Sequence, residues 1–185
     1  METSTEQASE TGGRAGQAST FEELRPPQAA DGVRVHDLIA RCAPLDENSL
    51  YCNLLQCSHF AQTCVVAQSG GIIVGWVSGY VRPDRPDRLF IWQVAVAPEA
   101  RGTGLGGRMI REILARDSCS NVTGIHTTIT ATNTASWSLF RKLAADIDAS
   151  FSERVAFKSD EHFAGRNPTE YLVEIGPFLS GQHRR

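Results

Sequence analysis

Residues 93–108 read QVAVAPEARGTGLGGR, an apolar strand that ends at a proline and continues through a glycine-rich turn into a stretch with helical spacing. Glycines at 102, 104 and 106 remove side chains from the turn, so neighbouring backbone N–H groups can point into one small space. The positive end of the helix dipole and the guanidinium of Arg101 add to this attraction for negative charge. We therefore predict a diphosphate-binding loop at this strand–helix junction.

Three phosphate-binding patterns can be compared with this loop. A P-loop requires Lys-Ser or Lys-Thr after the glycines, and neither follows here. Gly102, Gly104 and Gly107 fit the dinucleotide pattern Gly-x-Gly-x-x-Gly, but the motif lies past mid-chain and the nearest suitable acid, Asp117, falls at a helix end. The third pattern, Arg/Gln-x-x-Gly-x-Gly/Ala, is met by residues 101–106 and resembles the acetyl-CoA pyrophosphate loop of the GNAT N-acetyltransferase superfamily. The alternative is an ordinary glycine-rich turn.

Length and composition fit one globular domain. The chain has 185 residues, of which 41% are hydrophobic and 21% are charged. A net charge of −3 provides no basic surface for nucleic acid, and no apolar run reaches the roughly 18–20 residues of a membrane span. The five cysteines form no Cys-x-x-Cys pair and the histidines show no metal-ligand spacing. We expect a cytoplasmic protein with reduced thiols, no metal, and no nucleic-acid or membrane partner.

The order of predicted elements indicates a mixed sheet flanked by helices. We expect residues 1–19 to be a disordered tail, residues 20–178 to form a single domain, and residues 179–185 to be flexible. The sequence pattern predicts strands over residues 21–26, 64–68, 72–81, 89–97, 124–130, 149–155 and 171–175, and helices over residues 29–42, 48–57, 104–116 and 133–144. Residues 82–88, with two prolines and two aspartates, are predicted to be a surface loop.

This order resembles the whole GNAT fold, which is of the α/β (α+β) class, with a mixed central sheet of six to seven strands and about four helices. In that family the fourth and fifth strands diverge, and the pantetheine arm of acetyl-CoA lies between them like an added strand. The resemblance implies that backbone groups of Val94 and Val96 bind the arm while their side chains pack. The residues implied for the pyrophosphate are Arg101, Gly102, Thr103, Gly104, Leu105, Gly106 and Gly107.

A second GNAT motif lies at the start of the helix after the fifth strand. Asn133, Ser136, Trp137 and Phe140 fit the pattern Asn-x-x-Ala/Ser-x-x-x-Tyr/Phe, which implies contacts with the pantetheine arm or the substrate. Asn133 is equally suited to be a helix N-cap. Many relatives have a tyrosine that protonates the leaving thiolate at the position of Phe140, so the usual general acid is missing here. A CoA thiol is acidic enough to leave without it.

Further stretches are similar to the L-2,4-diaminobutyrate acetyltransferases of ectoine biosynthesis. They include CAPLDENSLYC at residues 42–52, GWVSGY at residues 75–80, FIWQVAV at residues 90–96 and ASWSLFR at residues 135–141. The resemblance implies transfer of acetyl from acetyl-CoA to the side-chain N4 amine of L-2,4-diaminobutyrate, by an enzyme that is a homodimer. The alternatives are a GNAT enzyme that acts on another small amine or on a protein, and a non-catalytic acetyl-CoA-binding regulator.

The same resemblance implies a group of acceptor-binding residues. The family has an acid at two points of its substrate site, and here these are Asp46 and Glu170; a carboxylate binds an ammonium group strongly. Asp46 could instead be a helix cap, and Glu170 a solvated loop acid. Trp92 would form a wall of the pocket and contact a cation through its ring, and Tyr51 would hydrogen-bond the substrate. As catalytic residues we predict Trp92, Asn133, Glu170 and Tyr51.

The predicted mechanism is direct attack of the neutral amine on the thioester within a ternary complex. No cysteine has a visible base partner, which argues against an acetyl-enzyme. The N–H of Val94 or a neighbour would polarise the thioester carbonyl, and Glu170, Tyr51 or a water chain would accept the amine proton. The sequence differs from the family pattern at one point. The family commonly has a His-x-x-Glu pair before its last strand, and here the corresponding stretch runs from Asn167 to Glu170. Whether Asn167, Glu161 or His162 contacts the substrate is left open.

Overall fold

A computed structural model describes residues 23–179 of the chain. These residues form a mixed seven-stranded sheet in the order β1-β2-β3-β4-β5-β7-β6. The strands are β1 (Glu23–Arg25), β2 (Val65–Ser69), β3 (Ile72–Arg82), β4 (Arg85–Val96), β5 (Gly124–Thr130), β6 (Phe151–Phe157) and β7 (Glu170–Ile175). The α-helices are α1 (Gly32–Ala40), α2 (Leu50–Ser58), α3 (Leu105–Leu114), α4 (Thr134–Asp146) and α5 (Ser159–Phe163). The predicted fold class is confirmed, while the predicted tail and residues 180–185 lie outside the described residues.

The predicted surface loop at residues 82–88 is wrong. Strand β3 continues to Arg82 and β4 begins at Arg85, so only two residues connect a tight hairpin. Arg82 donates to both carboxylate oxygens of Asp84, at 3.0 and 2.6 Å, and these charge-assisted bonds close the turn. Pro86 is tolerated because it pairs with neither neighbouring strand: pairing with β3 passes from Arg85 to Leu89, and pairing with β5 begins at Arg88. The short helix α5 was also not predicted, since five residues are too few for a periodic pattern.

Helices cover both faces of the sheet at β3. A side chain at Gly75 would meet the sulfur of Met109 in α3 at 2.9 Å, so this face of the strand lies against α3. Trp76 points to the opposite face and is fully buried. Ser78 shares that second face, where it lines a cavity together with Gln56 of α2. The core therefore lies in two layers, one under α1 and α2 and the other under α3.

The parallel strands β4 and β5 diverge along their length. They pair at only three positions, which are Arg88 with Gly124, Leu89 with Ile125 and Phe90 with His126. Strand β4 continues to Val96 and β5 to Thr130, so their C-terminal halves border a cleft. Helix α3, which connects the two strands, begins at one end of this cleft. The topology thus places the glycine-rich loop beside an opening in the sheet.

Candidate functional site

The cleft exposes the backbone of β4. The N–H of Ala97 donates to the carbonyl of Val74 at 2.9 Å, which identifies a hydrogen-bonded pair of the antiparallel β3–β4 ladder. Such pairs alternate with non-hydrogen-bonded pairs along a ladder. Val94 and Val96 occupy the alternate positions, so their N–H and C=O groups point away from β3 and toward the cleft. An extended partner could add to the sheet at these groups.

A β-bulge in β4 lies next to the cleft. Ser78 pairs with Gln93 and Gly79 pairs with Ile91, which leaves Trp92 as the extra residue of β4. Bulges bend a strand and redirect a side chain, and Trp92 is 53% exposed although its neighbour Ile91 is buried. The sequence did not predict the bulge, because the run of apolar residues has no irregularity at this point. The bulge places an aromatic face beside the predicted reaction site.

The glycine-rich loop adopts the conformation that its sequence predicts. Gly102 and Gly104 have positive φ angles of +78° and +75°. A Cβ atom added at either glycine would have no heavy atom within 4 Å. The hydroxyl of Thr103 donates to the carbonyl of Ala100 at 2.9 Å and closes the turn. Helix α3 starts directly afterwards at Leu105, so the first N–H groups of the helix have no acceptor within it. These amides and the open side of the loop suit an anion.

Arg101 lies along the same turn. Its Nε donates to the carbonyl of Val96 at 3.1 Å, and the thiol of Cys42 reaches the same oxygen at 3.4 Å. The guanidinium is therefore held at the junction of β4 and the loop. Because the Val96 carbonyl already has these two donors, the backbone of Val94 is the more accessible partner for an extended ligand.

The two predicted acceptor carboxylates interact through space. Glu170 begins β7, where it pairs with Thr130 of β5, and it is half-buried. Burial raises the pKa of Glu170, the charge of Asp46 raises it further, and a hydrogen bond with the Thr128 side chain opposes the shift. Asp46 lies in the exposed connection between α1 and α2, so the fold brings together acids from distant parts of the chain. The alternative that Asp46 caps α2 is wrong, because Ser49 is the N-cap and accepts from the N–H of Cys52 at 3.1 Å.

Two residues that the sequence analysis did not single out hold Asp46 in place. The amide of Gln93 donates to the backbone carbonyl of Asp46 at 2.9 Å, and the amide of Asn48 donates to the Gln93 side-chain oxygen at 3.1 Å. Gln93 follows the bulged Trp92, so these bonds attach the α1–α2 connection to β4 beside the cleft. The sequence signal for this role was Gln93 itself, because it is the single polar residue in the predicted apolar strand 89–97.

The α4 motif forms the other side of the cleft. Asn133 is the N-cap of α4, with its side-chain oxygen accepting from the N–H of Ser136 at 3.1 Å. The indole of Trp137 donates to the carbonyl of Thr130 at 3.1 Å and ties the helix to β5. Phe140 is buried in the core with 2% of its surface exposed. The N-cap interpretation of Asn133 is confirmed, and its contact with a ligand stays a prediction.

The remaining predicted residues lie on the surface. Tyr51, in the first turn of α2, is 69% exposed, and Asn167 is exposed before β7. His162 and Glu161 belong to α5, where both interact with Lys158. The start of α5 contacts the segment that leads into Glu170, because the N–H of Ser159 donates to the Thr169 hydroxyl at 3.1 Å. None of the helices within residues 23–179 has the length and apolar character to cross a membrane. The same residues contain no group of His, Cys, Asp and Glu that could hold a metal ion.

Comparison with known proteins identifies the family. The model of the acetyltransferase (GNAT) family matches residues 33–145. The chain is 52% identical over 159 residues to the L-2,4-diaminobutyric acid acetyltransferase of Methylotuvimicrobium alcaliphilum, which covers 86% of this chain and 92% of that protein. The chain belongs to the diaminobutyrate acetyltransferase family of GNAT enzymes. A second such acetyltransferase, from Vibrio cholerae, is 48% identical and covers 82% of this chain and 88% of its own length.

Solved structures agree with this family. The diaminobutyrate acetyltransferase EctA from Paenibacillus lautus, in complex with L-2,4-diaminobutyric acid and coenzyme A, superimposes with a TM-score of 0.83 at 36% identity. The match covers 87% of this chain and 98% of that structure. The NatC complex bound to Gag peptide and CoA has a TM-score of 0.66, with 85% of this chain and 99% of that chain covered, but at 18% identity it shows the fold alone. The predicted GNAT family and the more specific diaminobutyrate acetyltransferase resemblance are both confirmed.

Proposed function

We propose that this chain transfers the acetyl group of acetyl-CoA to the N4 amine of L-2,4-diaminobutyrate, giving N4-acetyl-L-2,4-diaminobutyrate in ectoine biosynthesis. The observation that carries the proposal is the similarity, over most of the chain, to diaminobutyrate acetyltransferases, one of which is in complex with that diamino acid and coenzyme A. The cleft supports it, since it combines a loop suited to a diphosphate with two carboxylates suited to an amine.

Acetyl-CoA would lie along β4 with its pyrophosphate on residues 101–107. The backbone of Val94 faces the cleft and would hydrogen-bond the pantetheine arm, as an added strand does. From the pyrophosphate the arm would run back along β4 past Val94, so the thioester would lie beside the bulge at Trp92. The N–H of Val94 would then polarise the thioester carbonyl as its oxygen gains negative charge. Asn133, Ser136 and Trp137 border the opposite side of the cleft on α4.

In the acceptor site, Asp46 would bind the α-ammonium group and Glu170 would accept the proton of the reacting amine. A half-buried carboxylate whose pKa is raised is a better base than an exposed one. The amine nitrogen then bonds to the acetyl carbon, the carbon–sulfur bond breaks, and the CoA thiolate leaves without help from Phe140. Trp92 and Tyr51 would line this site from β4 and α2.

The attack would be direct, without an acetyl-enzyme. Burial raises the pKa of the Cys57 and Cys64 thiols to about 12, so at neutral pH they are protonated and poor nucleophiles. Detection of a stable acetyl-enzyme in the absence of an acceptor would contradict this part of the proposal.

A panel of acceptors tests the proposed function. Purified enzyme with acetyl-CoA is assayed for CoA release and for acetylated product with 2,4-diaminobutyrate, ornithine, lysine and a peptide. We expect kcat/KM for diaminobutyrate to exceed that for ornithine by about tenfold or more, because one added methylene in a fitted pocket has an effect of this order. Faster turnover of lysine or peptide would contradict the assignment. CoA binding without turnover of any amine would favour a regulator.

Arg101→Ala is expected to raise the apparent KM for acetyl-CoA about three- to tenfold with a smaller change in kcat, because an exposed charge-assisted contact with phosphate is lost. Steady-state kinetics with acetyl-CoA as the varied substrate measures the effect. Arg154→Ala is the control, since it removes an exposed arginine on β6. An unchanged KM would mean that Arg101 does not contact the phosphates.

The homodimer, the cytoplasmic location and the absence of nucleic-acid and membrane partners stay predictions, as do the roles of the individual site residues.

A further inference from the structure

A small cavity lies behind the bulge of β4, on the face of the sheet covered by α2. Its volume is about 10 Å³, which is the space that one water-sized atom requires. The residues that line it come from α2, the turn that follows, β3 and the bulge: Gln56, Phe60, Ser78, Gly79, Tyr80 and Trp92. Trp92 is a wall of the cavity and also a predicted acceptor-site residue, so the cavity lies next to the proposed acceptor site.

Two buried polar side chains of this lining lack a partner. Gln56 is 3% exposed and Ser78 is 1% exposed. Within residues 23–179, neither Gln56 Nε2 nor Ser78 Oγ has a hydrogen-bond partner. Buried polar groups are almost always satisfied in folded proteins, since an unmade hydrogen bond is costly. Two such atoms around one cavity indicate that a polar atom in the cavity completes them.

A hydrogen-bond chain determines which end of the Gln56 amide faces the cavity. His36 Nδ1 donates to Asn53 Oδ1 at 3.2 Å, and Asn53 Nδ2 donates to Gln56 Oε1 at 3.2 Å. Asn53 is fully buried and Gln56 is 3% exposed, so the bond between these two side chains is shielded from water. Since Oε1 of Gln56 already accepts, the unpartnered atom is the donor Nε2. The cavity therefore requires a hydrogen-bond acceptor.

We propose that Gln56 and Ser78 bind the α-carboxylate of the amino-acid acceptor, with one carboxylate oxygen in the cavity. This inference rests on the proposed function. In L-2,4-diaminobutyrate the carboxylate is the one group that only accepts hydrogen bonds, whereas both ammonium groups donate. The donors Gln56 and Ser78 would then bind the carboxylate, and the acceptors Asp46 and Glu170 would bind the two amino groups. Gln56 and Ser78 thus select an amino acid over a simple diamine.

The test compares L-2,4-diaminobutyrate with 1,3-diaminopropane, which is the same diamine without the carboxylate. Gln56→Glu keeps the shape of the side chain but replaces the donor with a negatively charged acceptor. We expect it to raise the KM for diaminobutyrate at least about tenfold and to change the KM, or the inhibition constant, of diaminopropane less than about twofold. Ser78→Ala is expected to act in the same direction by about three- to tenfold, and it removes only one hydroxyl if Gln56→Glu folds poorly.

Gln62→Glu is the matched control, because it makes the same chemical change at an exposed position and should alter neither constant. Thermal unfolding of each variant reports on its fold. Equal effects on both acceptors, or an unchanged KM for diaminobutyrate in both variants, would overturn the inference and leave the proposed function standing. If the unmodified enzyme does not acetylate diaminobutyrate, the proposed function itself fails, and this inference fails with it.

Discussion

Glu170→Gln is expected to lower kcat/KM for L-2,4-diaminobutyrate about 10²- to 10³-fold, because the amide cannot accept the proton that the attacking amine releases. The substitution keeps the shape of the side chain and its capacity to bond Thr128. Steady-state kinetics at saturating acetyl-CoA measures the loss. Glu112→Gln is the control, since Glu112 lies on α3 and interacts with Arg116. A loss of less than about threefold would assign the proton transfer to Tyr51 or to water.

The pH dependence provides a second readout of the same residue. The pKa of Glu170 is raised above its usual value, mainly by burial and also by the charge of Asp46. Activity should therefore fall as the pH is lowered through this raised pKa, where Glu170 takes up a proton. Asp46→Asn removes a charge that raises the pKa, so the acidic limb of the kcat/KM profile should move to lower pH. An acidic limb that stays in place in Asp46→Asn would show that another group controls it.

Stability should change in the opposite direction to activity. Because the folded pKa of Glu170 lies above the unfolded one, its contribution favours folding below the unfolded pKa and is lost as the pH rises through the folded pKa. At neutral pH the ionised carboxylate is thus a cost to the folded state. Glu170→Gln should retain or slightly raise the melting temperature, which separates a chemical role from a structural one.

Gly102→Val is expected to raise the KM for acetyl-CoA about 100-fold. Gly102 has a φ of +78° and open space beside it, so the added side chain meets no neighbour. A β-branched residue is strained in this conformation, and the loop must change shape to relieve the strain. The loop amides then no longer point together at the diphosphate. The loss of two charge-assisted hydrogen bonds corresponds to an effect of roughly this size.

Gly71→Val separates loop geometry from general strain. Gly71 lies in the β2–β3 turn with a φ of +82° and equally open surroundings. Both variants should lose about 1–3 kcal/mol of unfolding free energy by thermal or chemical denaturation. Only Gly102→Val should change the KM for acetyl-CoA. Equal KM changes in the two variants would mean that the conformation of the glycine loop does not determine acetyl-CoA binding.

Local sequence signals predicted most of the elements. Strand β5 was predicted with its observed bounds, residues 124–130, because β-branched residues fill it between turn signals. The hairpin between β3 and β4 was not predicted, because prolines and aspartates there have the composition of a loop. Backbone pairing of Tyr80 with Phe90 and of Val81 with Leu89 holds the two strands together instead. Such contacts join separate segments and leave no periodic pattern.

The sequence by itself determined the conformation of the glycine-rich loop, since the positive φ angles of Gly102 and Gly104 and the start of α3 depend on neighbouring residues. Its similarity to known enzymes likewise predicts the residue types of the proposed acceptor site. Only the tertiary structure decided how the side chains of this proposed site are arranged. The raised pKa of Glu170 depends on burial and on the charge of Asp46. Gln56 turns its Nε2 toward the cavity because its Oε1 accepts a buried hydrogen bond from Asn53. Desolvation and Coulomb forces act through space, so residues far apart in the chain determine them together.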